Sequence, residues 1–137
     1  MSPLRLIIVG LGARARTWLQ VAQANPDIQI AALCDPDPAA RDRAGGQFPG
    51  IPIGADIAEV ADTDADAVLL CTPPGKRDHQ IETACAHGLA ILAEKPLSDD
   101  VATAARFVEM AESAGVHLIV GLNFRYLGVT QAMRDLL

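Results

Sequence analysis

The sequence has no long apolar run: none is longer than Ala67 to Cys71 or Leu89 to Ala93. Its start, "MSPLRLIIVG", carries one basic residue and a short apolar stretch before Gly10. That is too short for a signal peptide or a membrane span, so a cytoplasmic location and no membrane partner are expected. Basic residues are also scarce, 11 Lys and Arg against 17 Asp and Glu for a formal charge of −6. This excludes nucleic acid or an anionic membrane as the main partner, since both demand a basic face. Three cysteines, Cys34, Cys71 and Cys85, are odd in number, far apart and set among apolar residues. They read as reduced core thiols, not as a disulfide framework. Neither they nor the three histidines follow a metal-ligand spacing, so no metal is expected.

What the sequence does have is a core. Half of its 137 residues are hydrophobic and a fifth are charged, the profile of one folded domain. Short apolar runs recur at Leu4 to Val9, Ile28 to Cys34, Ala67 to Cys71, Leu89 to Ala93 and His117 to Leu122. Each reads as a strand buried on both faces, with a weaker one over Ile51 to Ile53. Between them, Ala13 to Ala24, Pro38 to Phe48, Ile57 to Asp62, Arg77 to His87 and Asp99 to Ala114 carry helical spacing. Gly88 and Gly115 stand where helices stop, and Ser98 or Asp99 can cap the last helix. Alternating strands and crossover helices predict a doubly wound parallel sheet, the Rossmann class of α/β fold. The rhythm stops at Asn123, so residues 1–122 read as that domain and 123–137 as the opening of another.

The first strand runs straight into "GLGARA", residues 10 to 15. Gly10 permits a tight turn, Gly12 lets a pyrophosphate approach the backbone, and Ala15 lets helix pack on strand. Leu11, Ala13 and Arg14 complete the turn around the phosphates, where the helix N-terminus favours an anion. Arg14 and Arg16 read equally as phosphate contacts or as solvated side chains. Asp35 ends the second strand, where a Rossmann fold places the acid that binds the adenosine ribose. With Asp37 beside it, a 2′-phosphate is repelled, so the expected cofactor is NAD in preference to NADP.

Two further strand ends face the same crevice. "CTPP" brings Cys71, Thr72, Pro73 and Pro74, a rigid wall suited to a flat ring, with His79 downstream. "EKP" brings Glu94, Lys95 and Pro96. An ammonium beside a nicotinamide can hold a substrate hydroxyl and stabilise the developing oxyanion, with Glu94 orienting it or balancing its charge.

In order and spacing, "IIVGLGARA", Asp35, "CTPP" with His79, "HGLAILAEKPLS" and "GVHLIVGLNFRY" resemble the glucose-fructose oxidoreductase and inositol dehydrogenase family, Gfo/Idh/MocA. The resemblance implies an NAD(P)-dependent oxidoreductase acting on a hydroxyl of a sugar, cyclitol or similar small molecule. It places Lys95 at the active site and Gly10, Gly12, Asp35, Thr72, Pro74, His79, Glu94 and Asn123 around the dinucleotide. It also implies a cis Lys95–Pro96 peptide and a C-terminal substrate domain that is missing from these residues. Without that domain the apolar Leu127, Val129, Met133, Leu136 and Leu137 are expected to fold back on the chain or to meet another copy of it, which makes a homo-oligomer the expected state. Two departures are Ala15 in place of a third glycine and Trp18 where members often carry His; Trp18 reads as core. An NAD-dependent glycosidase of the same family and a non-catalytic NAD-sensing module stay open as alternatives.

Overall fold

The computed structural model describes residues 2–136. Strands β1 (Leu4–Val9), β2 (Ile28–Cys34), β3 (Ile53–Gly54), β4 (Ala67–Leu70), β5 (Ala90–Ala93) and β6 (Leu118–Val120) form one sheet in the order β3-β2-β1-β4-β5-β6. Every pairing is parallel. Helices α1 (Ala13–Ala24), α2 (Pro38–Gln47), α3 (Asp78–Ala86) and α4 (Val101–Ala114) connect the strands, and α5 (Gly128–Asp135) follows β6. Strand order reverses between β1 and β4, which opens a crevice at their carboxyl ends.

Side-chain alternation divides the core between the two faces. From β1, Ile7 and Val9 join Val68, Leu70, Ile91 and Phe107 on the face covered by α3 and α4. Leu6 and Ile8 join Ala15, Leu19, Leu33 and Phe48 on the face covered by α1 and α2. The reading that every strand is buried on both faces holds for β4 but not for β5 and β6. Their second face extends beyond α1, and Ile119 is left 56% exposed.

Several boundaries differ from the sequence expectation for local reasons. The third strand starts at Ile53, because Pro52 has no N–H and contributes only its carbonyl, which accepts from Leu33 at 2.9 Å. The helix expected over Ile57 to Asp62 is a single 3₁₀ turn, Ile57–Glu59, capped by Asp56. The Thr63 hydroxyl donates to the Val60 carbonyl at 2.6 Å and closes that turn. Helix α4 is capped by Asp100, which accepts from the Thr103 N–H at 2.8 Å, and not by Ser98 or Asp99. Gly115 ends it in the left-handed conformation at φ 69°.

Candidate functional site

The parallel ladder runs slightly past the strands and aligns the starts of the loops. Gly10 donates to the Cys34 carbonyl, Cys71 to Val9, Glu94 to Leu70 and Gly121 to Ala93, at 2.8 to 3.0 Å. Loops from five strands therefore leave one edge at one level. Gly10 has φ +86°, and a Cβ there would lie 3.0 Å from both Thr72 Cγ2 and Thr72 N. Only glycine lets the first loop pass this close to the fourth strand's loop. At Gly12 the situation is opposite: a Cβ would meet nothing within 4 Å, and α1 begins with no side-chain cap. Its first N–H groups border open space, as a bound phosphate requires, while Ala15 is fully buried beneath.

Asp35 holds this turn from the side. Its Oδ2 accepts from the Leu11 N–H at 2.6 Å and its Oδ1 from the Asp37 N–H at 2.8 Å. A carboxylate has about four acceptor sites, so capacity for a ribose hydroxyl remains. Asp37 is differently used than the sequence suggests, since its side chain caps α2 by accepting from Ala39 at 3.0 Å. Gly10, Gly12, Asp35, Pro36, Thr72 and His79 line a cavity of about 590 Å³. His79 lies at its side, Nε2 2.9 Å from Asp56 Oδ1. The Asp56 carboxyl is lowered from its ordinary value by the Ala58 N–H first and by His79 second.

A second cavity of about 670 Å³ adjoins the first, with Cys71, Thr72 and Pro73 lining both. Arg14, Pro74, Arg77, Glu94, Lys95 and Asn123 are among its other walls. Lys95 is exposed and makes no ion pair among the described residues. The Lys95–Pro96 peptide is cis, as the resemblance implies. Burial pushes the Cys71 thiol up to about 12, so it stays protonated at neutral pH and contributes no thiolate.

Glu94 behaves differently from its reading as the partner of Lys95. It is 5% exposed, and one oxygen, Oε1, accepts from Arg14 Nε at 2.6 Å and Trp18 Nε1 at 2.7 Å. Burial pushes its carboxyl up, but the two donors and the Arg14 charge outweigh that, and the net shift is downward. Trp18 is thus no plain core residue: its ring covers apolar surface and its N–H reaches the carboxylate. Nor is Arg14 simply solvated, because its Nε is occupied by Glu94.

Arg77 is the residue that sequence reading missed. It is 1% exposed, immediately precedes α3, and donates to the carbonyls of Thr72, Glu94, Pro96 and Leu97. In "PPGKRDH" it looks like one more solvated base. No spacing marks it, since its acceptors are backbone carbonyls brought near by the fold.

A sheet in this order, with a glycine turn after β1 and an acid after β2, defines a dinucleotide-binding Rossmann domain. The Gfo/Idh/MocA model, described as an oxidoreductase family with an NAD-binding Rossmann fold, matches residues 4–122, and the chain belongs to that family. Rhizopine catabolism protein MocA of Rhizobium meliloti is 30% identical over 98% of this chain and 42% of its own length. Inositol 2-dehydrogenase of the same species, strain 1021, is 28% identical over 96% of this chain and 41% of its own. An oxidoreductase from Agrobacterium radiobacter, solved in complex with NAD+, L-tartaric acid and magnesium, is 28% identical with a TM-score of 0.90, over 98% of this chain and 40% of that one. The chain thus spans about 40% of the length of these relatives.

Proposed function

We propose that this chain is the cofactor half of an NAD-dependent oxidoreductase that moves hydride between nicotinamide and a hydroxyl-bearing carbon of a sugar, cyclitol or related molecule. The observation that carries the reading is the second cavity, where Lys95, which makes no ion pair among the described residues, shares the lining with Pro73 and Pro74 while the neighbouring Glu94 carboxylate is held by Arg14 and Trp18. The names of its relatives agree with this substrate class. The open backbone at Gly12, the uncapped start of α1 and the remaining acceptor capacity of Asp35 fit a dinucleotide laid across both cavities.

Bound there, NAD supplies the hydride acceptor. Asp35 holds the ribose, the first turn of α1 faces the pyrophosphate, and Thr72, Pro73 and Pro74 give the nicotinamide ring a flat wall. Lys95 would donate a hydrogen bond to the substrate hydroxyl oxygen and stabilise the negative charge that develops there as the hydroxyl proton passes to a general base contributed by the second domain. Residues 123–136, a 3₁₀ turn over Asn123–Tyr126 followed by α5, are the opening of a second domain that contributes substrate contacts. Asn123 reaches back from that segment to the cavity.

Titration calorimetry of this chain with NAD+ tests the binding half of the reading: Asp35→Ala should weaken NAD+ about tenfold, as loss of one charge-assisted hydrogen bond requires, and Lys95→Ala should leave it unchanged. The chemical half is tested in a chimera with the remainder of inositol 2-dehydrogenase. There Lys95→Ala should abolish most cyclitol-dependent NADH formation at unchanged NAD+ affinity. Turnover that survives the substitution would show Lys95 to be structural.

A further inference from the structure

We propose that Arg77 is a positioning residue that sets the nicotinamide wall at Thr72 to Pro74 against the loop that carries Lys95, an inference that rests on the function proposed above. One planar group holds both sides of the second cavity. Nη2 donates to the Thr72 carbonyl at 2.7 Å, on the loop that carries Pro73 and Pro74. Nη1 donates to the Glu94 carbonyl at 2.5 Å and the Pro96 carbonyl at 2.6 Å, with Leu97 O at 3.3 Å. The two nearer acceptors are the carbonyls immediately before and after Lys95. The backbone of Lys95 is therefore clamped at both ends by one nitrogen, while its ammonium is left free for the cavity.

Among the described residues no other hydrogen bond joins these two loops beyond the ladder. The β4–β5 ladder ends with the Glu94 N–H on the Leu70 carbonyl, and past that point the two loops are joined through the Arg77 guanidinium. The group is fully buried, its Nε has no hydrogen-bond partner among the described residues, and every acceptor it contacts there is a neutral carbonyl. Burying a cation among carbonyls is costly, so such an arrangement is a poor way merely to fill space. What the guanidinium provides is a rigid fork that fixes two loops at a set separation. A lysine at the same position carries the same charge but presents a single point and cannot span both.

The test compares NAD+ with ADP-ribose, which lacks only the nicotinamide ring. In the wild-type chain NAD+ should bind more tightly. In Arg77→Lys, ADP-ribose affinity should stay within about twofold, while the advantage of NAD+ over it falls about fivefold, the equivalent of one net hydrogen bond. Equal losses for both ligands would make Arg77 a fold residue only, and no loss for either would overturn the proposal outright. Should the variant not fold, the wild-type guanidinium NMR signals decide. Arg77 Hη resonances should shift on adding NAD+ and not on adding ADP-ribose, and the same response to both would refute the assignment. A wild-type chain that binds neither ligand, or both equally, overturns the proposed function and this inference together. A normal NAD+ advantage that Arg77→Lys leaves intact overturns this inference alone.

Discussion

Glu94→Gln is the most informative single change, because it keeps the shape of the side chain and removes only its charge. In the folded protein one carboxylate oxygen accepts from Arg14 at 2.6 Å and Trp18 at 2.7 Å. A hydrogen bond to a charged group contributes about 1.5–3 kcal/mol and a neutral one about 0.5–1.5, so weakening both removes about 2–3 kcal/mol. The Arg14 side chain is 46% exposed, and screening reduces its share, which leaves about 1.5–2 kcal/mol. For a chain of this size that is a fall of about 5–9 °C in Tm. The pH dependence makes the test specific. The Glu94 carboxyl is depressed below its ordinary 4.5, so the clamp contributes fully above pH 4.5 and is lost as pH falls through the folded value. Glutamine does not titrate there. Thermal unfolding followed by circular dichroism should show a constant gap between wild type and variant from neutral pH down to about pH 5, closing at lower pH. Asp56, Asp64 and Asp100, also depressed, titrate in both proteins and cancel from the difference. A gap that persists unchanged to about pH 2.5, or a Tm change below about 1 °C, would refute the clamp.

Gly10→Ala should destabilise the chain by about 2–4 kcal/mol, because the new Cβ meets Thr72 backbone at φ +86°. Urea unfolding would measure this, and a loss below about 0.5 kcal/mol would show that the turn relaxes freely. Asp35→Ala should narrow the preference for NAD+ over NADP+, and calorimetry finding equal affinities in the unsubstituted chain would remove that argument. Val129 and Met133 on α5 and Leu136 just after it are 63% to 86% exposed, and an apolar patch of this kind favours self-association. Light scattering should show a mass that rises with concentration and falls in the double variant Val129→Ser, Met133→Ser; a monomer at every concentration would refute the expectation.

Local sequence determined the fold, because its signals act over a few residues. Apolar runs of strand length, helical stripes between them and glycines at helix ends left the parallel doubly wound sheet as the arrangement that buries most of them. The glycine turn and Asp35 were readable for the same reason, each standing at a fixed offset from a strand end. Tertiary structure alone decided which polar groups meet. Glu94 and Lys95 are neighbours in sequence and both line the second cavity, yet the Glu94 carboxylate is held by Arg14 and Trp18 on α1 while Lys95 makes no ion pair among the described residues. Arg77 was illegible for a deeper reason. Its partners are carbonyls, which every residue possesses, so no residue type in the sequence announces that four of them converge on one guanidinium. Composition records which donors a chain owns, and only the path of the backbone decides which acceptors are within their reach.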